Sequence, residues 1–155
     1  MNLQKNFNWL KYKKNLSFNR IYRMTGISIS TLQVLAYGNQ NNIRIETVIK
    51  LCNCFKVNIN DFLFSHIEKE IEEITERYDS IDSLNLQKNV KYLKETNHLS
   101  YKKISIATKI NMNTLHILLT GNEKNARIET VIKLAEFFEK SIDELVIKDI
   151  TASNF

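Results

Sequence analysis

The octapeptide Arg-Ile-Glu-Thr-Val-Ile-Lys-Leu occurs twice in this chain, at 44–51 and at 127–134. No other feature constrains the fold as much. Applied without a gap, the offset of 83 aligns residues 6–64 with 89–147; of these 59 positions 24 are identical, 16 of them outside the octapeptide. They include Leu10/Leu93, Leu16/Leu99, Ser17/Ser100, Ile21/Ile104, Ile27/Ile110, Thr31/Thr114, Leu32/Leu115, Leu35/Leu118 and Gly38/Gly121. A gapless match of that length means one structural unit made twice. A unit of 59 residues is too long for an ordinary solenoid repeat, so two beads are expected rather than a stacked array. A unit of this size can fold alone, though only marginally.

Each bead should be helical. Pro is absent and Gly occurs only at 26, 38 and 121, too few turn formers for a β-rich fold. Each copy reads as five short helices. In the first copy, helix one covers about 6–14, and Ser17 is the N-cap candidate of a second helix ending near Thr25. Gly26 suits a tight turn. Ser28 caps a third helix over about 29–37, which Gly38 ends. Ile45, Val48, Ile49, Cys52 and Phe55 then repeat at helical spacing on one apolar face, and Glu46 and Lys50 make a favourable i,i+4 pair. Asn58 or Asn60 caps a last helix carrying Phe62 and Leu63. The second copy follows suit, with Ile128, Val131, Ile132, Ala135 and Phe138 on its fourth helix. The fold class expected is all-α: five-helix domains at 1–64 and 89–147, an acidic amphipathic joining helix at 65–88, and a tail at 148–155.

In the joining segment Ile67, Ile71, Ile74, Tyr78 and Ile81 are spaced 4-3-4-3, an apolar stripe at heptad period. Two heptads fall short of a firm coiled-coil pattern. The stripe admits two readings: packing against the chain's own domains, or self-association into a homodimer.

Charge is unevenly distributed. Residues 1–64 hold nine basic and two acidic residues, 65–88 hold three and seven, and 89–155 hold ten and eight. The first domain is the electropositive one, as a polyanionic partner would require. Cys52 and Cys54 form a C-x-C pair with no His or further Cys nearby, which lacks four-ligand zinc spacing and suits small apolar side chains in a reducing compartment. No apolar run approaches the ~18 residues of a membrane span, and no secretory leader is expected ahead of the first domain. A soluble cytoplasmic protein is expected, with no cofactor and no metal. His66, His98 and His116 are scattered, and neither a catalytic spacing nor a phosphate-cradling glycine loop recurs, so no enzyme is expected.

The pattern Ser-x-x-x-Ile-x-x-x-Thr-Gly-Ile-Ser-x-Ser-Thr-Leu-x-x-Leu-x-x-Gly at 17–38 resembles the helix-turn-helix of the phage repressor and Cro type, the XRE class. The stretch Ile45-Glu46-Thr47-Val48-Ile49-Lys50-Leu51-Cys52 and the closing Val57-Asn58-Ile59-Asn60-Asp61-Phe62-Leu63 are similar to the family's fourth helix and terminus. The resemblance extends over both copies. It implies five-helix domains whose third helix enters the major groove of double-stranded DNA, where each base pair shows a distinct donor and acceptor pattern. Carried over position by position, it implies base-facing roles for Ile29, Ser30 and Gln33 in the first copy and Met112, Asn113 and His116 in the second. Gln33 and Asn113 would be adenine readers, and Ile29 could touch a thymine methyl. Phosphate anchors would be Arg20, Arg23 and Arg44, with Lys102, Lys103 and Arg127 in the second copy. The sequence departs from the family pattern at Phe18 and Tyr101, where a Gln commonly opens the second helix. It departs also at Tyr22 and Ser105, in place of a small Ala, and at Lys109, in place of the turn glycine.

The function expected is a sequence-specific transcriptional regulator, repressor-like and of phage or mobile-element type. Its two fused readers would address half-sites about one helical turn, ~34 Å, apart. The alternative is a protein-binding inhibitor or adaptor on the same scaffold, similar to some phage anti-defence proteins, including anti-CRISPR inhibitors; uncharged third helices and the acidic joining segment favour it.

Overall fold

The computed structural model describes residues 1–38, 43–65, 84–121 and 125–152. The chain divides into two compact units, Met1–Tyr78 and Asp79–Phe155. Among the described residues of the first unit lie α1 (Leu3–Lys13), α2 (Phe18–Thr25), α3 (Ile29–Tyr37), α4 (Ile45–Phe55) and α5 (Ile59–Phe64). Among those of the second lie α6 (Leu86–Thr96), α7 (Tyr101–Thr108), α8 (Met112–Thr120), α9 (Ile128–Phe137) and α10 (Ile142–Val146). No β-strand forms among the described residues. The apolar stripe Ile67, Ile71, Ile74, Tyr78 and Ile81 lies outside them.

In the first unit α1 packs on α3 and α5, α2 on α3 and α4, and α4 on α5. All five apolar residues of the α4 face, Ile45, Val48, Ile49, Cys52 and Phe55, are buried. Phe55 is the middle of a stack, with ring centroids 5.9 Å from Phe7 of α1 and 6.0 Å from Phe62 of α5. Edge-to-face and tilted rings of this kind add about 0.5–1.5 kcal/mol per pair beyond the area they bury. The second unit has the corresponding helix order, with α6 on α8 and α10, α7 on α8 and α9, and α9 on α10. Its core is aliphatic instead: Leu86, Val90, Ile104, Leu115, Val131, Leu134 and Leu145 are buried, while Phe137 and Phe138 pair at its margin, half-buried, with centroids 4.9 Å apart.

Helix α1 starts at Leu3 rather than near residue 6, and α6 at Leu86, inside the segment read as a joining helix. The reason is a set of polar clamps that runs ahead of the apolar pattern. Asn6 is buried on α1, and its Nδ2 lies within hydrogen-bonding distance of the carbonyls of Phe62 (2.9 Å), Ser65 (2.9 Å) and Asp61 (3.2 Å). Asn89 repeats this on α6 with Leu145, Lys148 and Glu144, at 3.0, 2.6 and 3.2 Å. A helix leaves its last carbonyls without intrahelical partners, and here a buried amide from the first helix serves those of the fifth. Asn2 and Asn85 extend the clamp: their backbone N–H groups donate to Leu63 and Val146, and their side chains to Phe64 and Ile147. Residues 2–6 and 85–89 are both Asn-Leu-Gln-Lys-Asn. The repeat therefore runs four residues further back than its apolar positions indicate.

The stretch after α10 is also tied in. Ile150 N–H donates to Asn89 Oδ1 at 3.3 Å, Lys88 pairs with Asp149, and Asp149 accepts from Thr151. Residues 148–151, read from sequence as part of a tail, thus pack on α6.

Candidate nucleic-acid interface

The connection between α2 and α3 is a braced turn. Ser17 caps α2 by accepting from the Arg20 N–H, and Gly26 ends it at φ +70°, in the left-handed region where glycine is at home. The Thr25 hydroxyl donates to the Ile21 carbonyl (2.7 Å) and accepts from the Ile27 N–H (3.1 Å), and the Ile27 side chain is buried beneath the turn. Ser28 then caps α3 by accepting from the Thr31 N–H. In the second unit Thr108 makes the same two bonds, to Ile104 (2.7 Å) and from Ile110 (3.2 Å), and Asn111 caps α8. Lys109 stands where Gly26 does and holds φ +56°.

At nine residues α3 is too short to be stable alone in water. Leu32, Leu35 and Ala36 bury its inner face. It ends at Gly38, where a Cβ would stand 2.9 Å from the Val34 carbonyl oxygen; the same closure at Gly121 leaves 2.6 Å to Ile117. Glycine is required there by close approach, since φ is −104° at Gly38.

The outer face of α3 presents Ile29, Ser30, Gln33, Val34 and Tyr37, all exposed. At 100° per residue these occupy a single arc of about 140°. In angular order it runs Ile29, Gln33, Tyr37, Ser30, Val34. The three positions inferred from sequence are on it, and so are Val34 and Tyr37, which sequence reasoning passed over. Val34 is 50 % exposed and Tyr37 74 %. The Ser30 hydroxyl lies 3.0 Å from that of Ser28, and Tyr37 meets Phe18 edge-on with centroids 6.1 Å apart.

In the second unit Met112, Asn113, His116, Ile117 and Thr120 fill the equivalent arc on α8 and are exposed. Here the position matching Gln33 is engaged from within: His116 Nδ1 lies 3.1 Å from Thr120 Oγ1, and its ring lies 6.2 Å from that of Tyr101. Gln33 makes no such ring contact, because Phe18, the residue matching Tyr101, pairs with Tyr37.

The departures at Phe18 and Tyr101 have a shared structural role. Lys11 Nζ sits 5.0 Å above the Phe18 ring and Lys94 Nζ 4.9 Å above the Tyr101 ring. Each aromatic residue places a first-helix ammonium beside the start of the second helix, a contact worth about 0.5–1 kcal/mol at an exposed site. Arg20 and Arg23 on α2, and Lys102 and Lys103 on α7, are exposed. Arg44 and Arg127, also exposed, are the N-cap residues of α4 and α9. Arg23 has no basic counterpart, since Ile106 takes its position and is 69 % exposed.

The cysteines have packing roles. Cys52 is buried, and the half-buried Cys54 sets its Sγ 4.0 Å from Met24 Sδ, joining α4 to α2. Burial pushes the Cys54 thiol pKa up, against a weaker opposite pull from Lys14. No group of three or more His, Cys, Asp or Glu able to hold a metal occurs among the described residues, nor does any helix long and apolar enough to cross a membrane.

No curated protein and no solved structure matches the chain. A family model does: residues 12–65, from the end of α1 through α5, match the Cro/C1-type helix-turn-helix DNA-binding domain. The first unit is therefore similar to a Cro/C1-type helix-turn-helix domain, and that similarity supports a DNA-binding regulator in general outline.

Proposed function

We propose that the chain is a repressor-like transcriptional regulator of phage or mobile-element type that binds duplex DNA sequence-specifically through α3 and α8. The observation that carries this reading is the braced α3 arc in the unit matched by the DNA-binding family. The arc is wholly exposed and lies on a unit whose first 45 residues contain no acidic residue. Gln33 can bond an adenine edge at two points, and Asn113 can do the same from α8. The basic residues Arg20, Arg23, Arg44, Lys102, Lys103 and Arg127 supply phosphate contacts that position without specifying. Two units in one chain give two readers without a second subunit, and since their arcs differ, the site they suit is not a palindrome.

In vitro selection from random duplex returns the bound site and tests this directly. On that site Gln33→Ala is expected to lower affinity about 5- to 150-fold while leaving random-duplex binding unchanged. Arg44→Ala is expected to weaken both and to reduce the slope of log affinity on log salt by about one. Equal losses from Gln33→Ala on selected and random duplex contradict the base-reading role.

A second reading, an inhibitor or adaptor that binds protein through the same scaffold, is favoured by Ile106, an exposed apolar residue where the first unit has Arg23. Absence of any duplex complex at low salt would decide for it.

A further inference from the structure

We infer that α3 recognises A·T pairs through the 5-methyl groups of thymine, with Ile29 and Val34 as methyl-contacting specificity residues on either side of Gln33. The inference rests on the proposed DNA-binding reading and adds to its adenine contact an apolar one, made by Val34 together with Ile29.

Three observations carry it. First, the arc has no Lys, Arg, Asp or Glu, so the commonest guanine reader, a bidentate cation, is missing, and so is a carboxylate for cytosine. Its one side chain with paired donor and acceptor is Gln33, which matches adenine. Second, the two margins of the arc are apolar and accessible, with Ile29 37 % and Val34 50 % exposed. The only apolar group that a base pair offers in the major groove is the thymine methyl. Third, the second unit keeps this chemistry where it changes its neighbours. Met112 and Ile117 replace Ile29 and Val34 and are 48 % and 53 % exposed, whereas Arg23, Met24 and Tyr37 become Ile106, Ala107 and Thr120. Two exposed margins that stay apolar in both copies, around a Gln in one and Asn113 and His116 in the other, fit one base-pair chemistry read with different spacing.

The occupant is duplex DNA and not an apolar protein surface because of the charge beside the arc. Arg20 and Arg23 are exposed on α2, the helix that the turn holds against α3, and Lys11 is carried at its start over Phe18. Cations flanking an otherwise uncharged face match a groove walled by phosphates.

The test replaces single thymines of the selected duplex by uracil, which removes the methyl and leaves every donor and acceptor in place. Affinity is read by fluorescence anisotropy on the full chain. At one or more positions the wild-type chain should lose about fourfold per methyl, the loss of one buried carbon. At those positions the double variant Ile29→Ala/Val34→Ala should bind thymine and uracil equally. Both residues are exposed, and an unchanged thermal midpoint checks that the variant is folded. Tight binding that no uracil alters overturns the inference and leaves the DNA-binding reading standing. So does an identical set of sensitive positions in wild type and variant, or a selected site made of G·C pairs. Failure to bind any duplex at low salt overturns both; if sedimentation then shows a dimer that the double variant loses, the face belongs to a second copy of the chain.

Discussion

The two units share their fastenings and differ in what they show to solvent. The Asn6 and Asn89 clamps meet carbonyls at matching positions. The threonine braces of the turn, the lysine-over-ring contacts and the i,i+4 pairs Glu46–Lys50 and Glu129–Lys133 recur as well. Left-handed residues also recur in register, at Asn15 and His98 and at Lys56 and Glu139. Against this, every residue of the exposed arc has changed, and the aromatic core of the first unit is aliphatic in the second. The contrast shows where sequence is constrained. Buried polar groups and close backbone approaches tolerate few alternatives, because a lost partner strands an unsatisfied group. Apolar cores accept replacements of the right total volume, and an exposed arc can change without loss of fold.

The largest expected effect tests the shared fastening. Asn6→Ala and Asn89→Ala each leave three carbonyls of the closing segment without their buried donor. Each variant should lose about 1–3 kcal/mol in chemical denaturation. Losses of similar size in the two units would show the clamps to be equivalent; a loss confined to one would show that they are not.

Next comes the turn, where the units differ at one position in one conformation. Lys109 pays for a left-handed backbone that Gly26 adopts freely. Lys109→Gly should therefore raise stability by about 0.5–1 kcal/mol, part of the relief being offset by the freer unfolded chain. Gly26→Ala should act in the opposite direction. No gain at Lys109 would mean that its side chain makes contacts that offset the strain.

The smallest effect is electrostatic and belongs to the second unit. The hydrogen bond from the Lys88 ammonium, followed by that from the Thr151 hydroxyl, holds the Asp149 carboxyl down at about 2, from an ordinary 3.8. A depressed carboxyl stabilises the fold fully above its unfolded value, and that contribution fades as pH falls through about 2. The pair is exposed and its worth is small. Lys88→Met should lower the thermal midpoint slightly at pH 5, with the difference from wild type closing toward pH 2. A difference that stays constant across that range would assign it to packing of the lysine stem.

Much of this was legible in the sequence, for identifiable reasons. Ser17, Gly26, Ser28 and Gly38 mark where α2 and α3 begin and end, and the spacing of Ile45 to Phe55 marks the inner face of α4, because caps and apolar periods are written in residue type. The clamp was not legible. Asn2, Gln4 and Asn6 look like a polar lead-in, and only the fold shows Asn6 buried beneath α5 and the Gln4 amide donating to the Ala36 carbonyl. The unbroken recurrence of Asn-Leu-Gln-Lys-Asn was the available signal. Val34 and Tyr37 were passed over for the converse reason: on a helix with an apolar inner face, an apolar residue type does not say which way its side chain points. Only the braced turn, by fixing the rotation of α3 against Leu32 and Leu35, shows that they point outward.

The proposed contact of the outer arc of α3 with DNA can be followed residue by residue. At 18.2 kDa the chain is small enough for amide-resolved NMR, so the selected duplex can be titrated into isotope-labelled protein. The amides of Ile29 to Tyr37 and of the preceding turn should shift most, at a stoichiometry set by the duplex and reversed by salt. Shifts confined to α5 and the closing segment, with α3 unmoved, would contradict that contact.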